Sequence, residues 1–290
     1  QAKNVTVAGG ELRLVSTSTA KAKTDGTGTI DVAAGARLAF DVNNGTGTRN
    51  IIEPTRGKTV SIAGEGPDGK GVLYNYQNQT PNGDWAGYLS RLIVKDGGAL
   101  VGGGHIGVRT YADSGITQGR VEGAFPLTLN TVKEAKFGFT FYGVDFALDS
   151  IRVTGKAQFE NTLTGTITNG VHLADGGQVD IFAVAMPATM PFFVDEGADA
   201  TFYMWGGTST IATPVNVASN ATLNLTGSSA LTINGPIVNH GTIVRAATAD
   251  VTFTGPITGT GVFENSAGWL NLIGDKGELG QVLPTVDWEQ

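Results

Sequence analysis

Apolar residues along this chain do not follow a helical period. They alternate in short runs: Val5-Thr-Val7, Leu12-Arg-Leu14, Ile30-Asp-Val32, Leu223-Asn-Leu225. Alternation with period two marks a strand with one buried face. Between paired runs stand two to four small or turn-forming residues, usually including Gly, Asn or Asp, which tolerate positive φ and bend the chain sharply. The unit recurs as Ile30-Asp-Val32-Ala-Ala-Gly35-Ala-Arg-Leu38, Ile93-Val94-Lys-Asp-Gly97, Ile151-Arg-Val153-Thr-Gly155, Val171-His-Leu173-Ala-Asp-Gly176, Phe193-Val194-Asp-Glu-Gly197 and Val215-Asn-Val217-Ala-Ser-Asn220.

The residue before each turn falls at 7, 32, 94, 153, 173, 194 and 217, so the successive steps are 25, 62, 59, 20, 21 and 23. The last three are single steps of one solenoid coil, and 62 and 59 are each expected to hold about three. Short strands of this kind cannot bury their apolar face alone; stacking coil on coil buries it and makes the strands parallel. The pattern predicts an all-β chain, a parallel β-helix with coils of about 20 residues over 1–270, a loop insertion near 64–90, and a C-terminal cap or tail over 271–290. The Asn-Gly pairs at Asn169-Gly170 and Asn234-Gly235 keep an antiparallel sandwich or propeller open, since Asn-Gly also closes hairpins.

Composition supports a folded chain: 40% of the 290 residues are hydrophobic, so the 43 glycines and the 16% charged residues do not signal disorder. A net charge of −7 with 19 scattered Lys and Arg argues against nucleic acid and against an anionic membrane surface. No apolar run is long enough to insert directly into a bilayer as a helix. The absence of Cys removes disulfides, thiolate metal sites and a cysteine nucleophile.

The Val-x-x-Gly-Ala-x-Leu character of the turns resembles the passenger regions of bacterial autotransporter and polymorphic-outer-membrane-type proteins, over most of residues 1–270 and most strongly over 150–270. The resemblance implies a right-handed β-helix, a secreted or bacterial cell-surface location and an adhesive or structural role. The C-terminal membrane barrel of that family is not part of this sequence.

Candidate chemistry is sparse. Two GxGxxG spacings, at Gly64, Gly66, Gly69 and at Gly102, Gly104, Gly107, neither open a helix nor exceed what so many glycines produce by composition. The near phosphate loop Gly64-x4-Gly69-Lys70 has Gly71 where the metal-binding hydroxyl belongs, and Glu65 and Asp68 would repel phosphate. His105, His172 and His240 show no metal-binding spacing, and His172, alternating with Val171 and Leu173, should face solvent. Asp195, Glu196 and Asp199 lack the spacing of a Ca²⁺ loop and read as a solvated turn. Neither cofactor nor metal is expected.

A carbohydrate-cleaving reading would draw on Asp145 and Asp149, with His105, Arg109 and Asp113. On one unbroken strand the two carboxylates stand about 13 Å apart, beyond the ~5–9.5 Å of paired acid catalysis. No catalytic residue is assigned, and polysaccharide lyase or glycoside hydrolase activity is the alternative to the leading reading. That reading is a β-helix module binding a glycan or an extracellular protein of host or matrix. Its candidate ligand-binding residues are Tyr74, Tyr76, Trp85 and Tyr88, because aromatic faces stack on sugars and fill protein pockets. Packing over the coil is their equally weighted alternative. Phe137, Phe139 and Phe141, by contrast, alternate toward one face and are expected inside.

Overall fold

The computed structural model describes residues 4–16, 28–42, 51–76, 86–109, 118–133, 137–266 and 270–272. They are all-β and form a parallel β-helix, and the chain divides into two compact units, 1–158 and 159–290.

In the second unit each coil runs through three short strands, and each strand pairs in parallel with its counterpart one coil on. One ladder stacks Val171–Leu173, Phe192–Val194, Val215–Val217, Ile237–Asn239 and Ile257–Thr258. Along it the partners run Val171↔Phe192↔Val215↔Ile237↔Ile257, close to the coil length that the turns predict. A second ladder runs through Gln178–Met186, Asp199–Met204, Thr222–Gly227, Thr242–Arg245 and Val262–Asn265. A third runs from the end of Gln178–Met186 through Ser209–Ile211, Leu231–Ile233, Val251–Phe253 and Leu270–Leu272.

The pleat decides what is buried. Phe192, Val215, Ile237 and Ile257 point inward and are at most 1% exposed. Their neighbours His172, Phe193, Asn216, Val238 and Thr258 form an outward row in register. The recurring turn has a common geometry: the third residue takes positive φ at Gly176 (70°), Gly197 (70°) and Asn220 (57°). The N–H of the residue after it donates to the first carbonyl of the turn, Gly177 to Ala174, Ala198 to Asp195 and Ala221 to Ala218. Gly and Asn occupy that position because other side chains meet the backbone there.

The first unit has the same three-ladder plan with longer steps. One ladder stacks Asn4–Val7, Gly28–Val32, 58–62, 91–94, Gly119–Gly123 and Val144–Leu148. Its inward partners run Val5↔Ile30↔Val60↔Leu92↔Val121↔Phe146, and every one of these steps is longer than any in the first ladder of the second unit. A second holds Gly10–Ser16, Ala36–Val42, Leu73–Asn75, 99–103, Leu127–Thr131 and Ile151–Val153. A third holds 51–55, 86–89, Ile106–Arg109 and Phe139–Tyr142.

Three expectations are corrected. The stretch from Val32 to Val94 spans two steps, through Ile62, and not three. Val94 and Val153 lie on different ladders, so the separation between them counts no whole number of coils. The segment read as an inserted loop carries Leu73–Asn75 and the start of Ala86–Gly103, both paired into the coil; its apolar residues Leu73 and Leu89 are fully buried. The hairpin reading of Asn-Gly fails as well, since Gly170 (φ 79°) turns the chain into a parallel rung. Phe139 and Phe141 are buried as expected, and Phe137 is half-buried. Of the cap or tail expected over 271–290, residues 271–272 belong to the strand Leu270–Leu272 and the remainder lies outside the described residues.

Candidate functional site

In the first unit, outward residues of the second ladder gather aromatic and charged side chains. Register sets Glu11 beside Arg37, and Arg13 beside Ala39 and then Tyr74. Small Ala39 leaves room between the two larger side chains. The Arg13 guanidinium lies 4.4 Å from the Tyr76 ring centroid and that of Arg37 lies 4.8 Å from Tyr74. The two tyrosine rings meet edge to face at 5.0 Å. Guanidinium over an aromatic face is worth about 0.5–1 kcal/mol at an exposed site such as that of Arg13.

Polar contacts hold this patch in place. The Tyr76 hydroxyl donates to Glu11 Oε2 at 2.6 Å, Arg13 pairs with Asp41, and Arg37 pairs with Asp68. Arg37 Nε also donates to the Gly71 carbonyl at 2.8 Å. The hydrogen bond from Arg37 holds the Asp68 carboxyl below its usual range, while the bond to Glu11 pushes the Tyr76 hydroxyl up. Burial alone would lower Arg37; hydrogen bonds with Asp68 and Tyr76 outweigh it and raise its pKa. Tyr76 is 36% exposed and the Arg13 side chain 47%, so the patch presents one tyrosine and one arginine to a partner over an immobilised base.

Tyr88 occupies another place, on the third ladder. Its ring covers Gly107, where a Cβ would stand 2.9 Å from the ring. Arg109 lies 4.8 Å from its centroid and His105 5.4 Å. The packing alternative therefore describes Tyr88, and the exposed-surface reading describes Tyr76. Trp85 lies outside the described residues.

Both glycine spacings have structural explanations. Gly66 takes φ 79° in the turn that carries Asp68, and a Cβ there would collide with the Gly71 carbonyl oxygen. Gly107 makes the bed for Tyr88. Asp68, expected to repel phosphate, instead accepts from Arg37 and from the Lys70 backbone N–H at 3.1 Å.

The residues of the carbohydrate-cleaving alternative fall on different ladders, Arg109 on the third and Asp145 on the first. Asp145 pairs with Arg120. Asp149 falls just past the strand Val144–Leu148 and accepts from the Ser150 hydroxyl at 2.8 Å. His105 is 5% exposed, its Nε2 2.9 Å from the Thr140 hydroxyl. Asp113 lies outside the described residues. Around Arg120 there is a charge cluster that sequence reading missed: Glu122 takes hydrogen bonds from Arg91 and Arg120. Burial would raise its carboxyl, and those two bonds hold it below the ordinary range instead. Its signal was the register Arg91↔Arg120 and Ile93↔Glu122, hidden by the length of that coil.

In the second unit His172 faces outward as expected, with Nδ1 3.1 Å from Asp195 Oδ1 and Nε2 3.0 Å from the Asn169 carbonyl. Asp199 of the acidic turn is engaged elsewhere, accepting from Asn224 Nδ2. In comparisons with protein-family models, curated proteins and solved structures the chain matches none.

Proposed function

We propose that the protein is a secreted or cell-surface β-helix module that binds an extracellular protein partner through the Tyr74–Tyr76–Arg13 patch. The observation that carries this reading is the pre-set geometry of Tyr76 and Arg13, each presented to solvent yet tied down by Glu11 and Asp41. Tyr and Arg dominate binding hot spots, and side chains already held in place lose little entropy on association. The β-helix supplies a rigid face on which such residues recur by coil. Residence outside the cell rests on the turn motif's resemblance to autotransporter passengers and on a Cys-free, weakly charged composition.

The test is surface binding of the purified chain to a panel of matrix proteins and intact host cells, comparing wild type with Arg13→Ala and Tyr76→Ala. Each substitution should weaken binding at least about tenfold, the effect of a hot-spot truncation above roughly 1.4 kcal/mol. Binding that survives both substitutions unchanged would remove the patch from the reading. The lyase or hydrolase alternative has less support, because Asp145 is paired with Arg120 and Asp149 lies past the end of the strand that carries Asp145.

A further inference from the structure

The outward row of the second unit contains a gap. His172 and Phe193 stack face to face, ring centroids 5.0 Å apart and planes 19° from parallel. The Phe193 ring also lies across Gly170, where a Cβ would come within 2.6 Å of it. One side of Phe193 is thus covered. On the next coil stands Asn216, and on the coil after that Val238. Asn216 lies back along the coil, its Nδ2 3.4 Å from the Phe192 carbonyl, which leaves its own side-chain oxygen as an acceptor. The result is a groove of about 310 Å³ with Phe193 at one end, Val238 and His240 at the other, Asn216 on the floor, and Asp195 and Glu196 along one rim.

From these dimensions and this lining, the geometry points to a binding subsite for one neutral pyranose unit of a glycan. Two coil steps separate Phe193 from Val238, about 9.6 Å at ~4.8 Å per step. Carbon atoms meet at about 3.5–4.0 Å, so a flat aromatic ring between the two walls would leave roughly 2 Å unfilled. A chair-form pyranose is thicker, because ring hydrogens project from both of its faces, and it fills that space. Its apolar face suits Phe193 and its equatorial hydroxyls reach the rim.

The rim selects among sugars. Asp195 and Glu196 are acceptors and repel carboxylated or sulfated rings, whereas sugar hydroxyls donate to them. Whichever nitrogen of His172 carries the proton finds an oxygen acceptor, Asp195 for Nδ1 or Asn169 for Nε2, and that hydrogen bond orients the ring that backs Phe193. The groove is open, so the rest of a polymer can continue past Val238 toward Thr258 in the same row. This subsite lies wholly within the second unit and stands whether or not the tyrosine patch of the first unit binds a protein.

The experiment is saturation-transfer NMR and calorimetry on the full chain with cellopentaose, xylopentaose, laminaripentaose and mannopentaose. Trigalacturonate is the anionic comparator and tryptamine the flat cationic one. At least one neutral pentaose should bind with Kd of order 0.1 mM. Phe193→Ala and Asn216→Trp should each weaken it tenfold or more, and Thr232→Ala, on the outer face of another ladder, should not. Asn216→Trp adds a ring to open space and removes no apolar contact, so it decides the matter even if Phe193→Ala fails to fold. The subsite is overturned if no neutral pentaose binds more tightly than several millimolar. Equal binding by wild type and Asn216→Trp overturns it too, as does tighter binding of trigalacturonate or tryptamine than of every pentaose.

Discussion

The two units use one architecture at different step lengths, and the outer faces differ accordingly. In the second unit the first ladder returns after little more than three strands and their turns require, as from Val215 to Ile237, and its outward row is mostly uncharged. In the first, longer steps such as Val60 to Leu92 carry connecting segments as well, and outward rows are laced with ion pairs: Arg13–Asp41, Arg37–Asp68, Arg91–Glu122 and Arg120–Asp145. Step length does not alter the buried face. Phe141 and Phe202, one in each unit, are both fully buried among aromatic neighbours about 5 Å away. Stacking tolerates variable connections, because a lengthened surface loop costs only about 0.6 kcal/mol for each doubling.

The largest effects are expected at those two rings. Phe202→Ala and Phe141→Ala should each destabilise by about 3–5 kcal/mol in chemical denaturation followed by circular dichroism. Similar losses would establish that irregular coils pack as tightly as regular ones. A loss under about 1 kcal/mol for Phe141→Ala would show a slack core in the first unit.

The two buried arginines sharpen it next. Arg37 is 3% exposed and meets carboxylates, whereas Arg245 is fully buried in an inward column, beside Leu225. Arg245 donates to the Ala249 carbonyl and to Asn265 Oδ1 at 3.4 Å, both neutral, and burial lowers its pKa against the pull of Asp250. Replacing a buried ion pair by apolar groups of similar size is often neutral or stabilising by about 1–4 kcal/mol, and removing Arg245, whose hydrogen-bond partners are neutral, likewise strands no buried charge. Arg245→Leu should therefore hold or raise the denaturation midpoint, and Arg37→Leu should lower it by stranding Asp68 and Glu11. Opposite signs would mean that Arg245 is an organising residue of its turn.

Acid gives the smallest effect. Asp68 and Glu122 both have pKa values below their unfolded ones, so their contribution is present above about pH 4 and fades as pH falls through the lowered values. Denaturation midpoints measured from pH 6 down to pH 3 should decline, and Glu122→Gln should make the decline shallower. An unchanged slope in that variant would assign acid sensitivity to other groups.

Much of this fold is readable along the chain. Val171-His-Leu173, Val215-Asn-Val217 and their turns indicate strand, bend and coil length, because one small set of forces acts over a short span of chain: alternate burial, and positive φ at the bend. The same copies, aligned on the paired register, set His172, Phe193, Asn216 and Val238 in one row, of which the sequence pattern marked only His172 as facing solvent. The tyrosines show the opposite limit. Tyr74 and Tyr88 read as loop residues since Gly, Asn and Gln surround them, yet Leu73 and Leu89 carry them into strands.

The strand period and the turn chemistry are thus set along the chain, and short apolar stripes favour parallel stacking, which the ladders then establish over hairpins. Which residues become neighbours follows from the folded chain. That Arg13 meets Tyr76, or that Phe193 faces Val238 across Asn216, depends on how much chain each coil takes before returning to the same ladder. Surface connections can absorb extra residues at little free-energy cost, so local sequence carries almost no trace of that length.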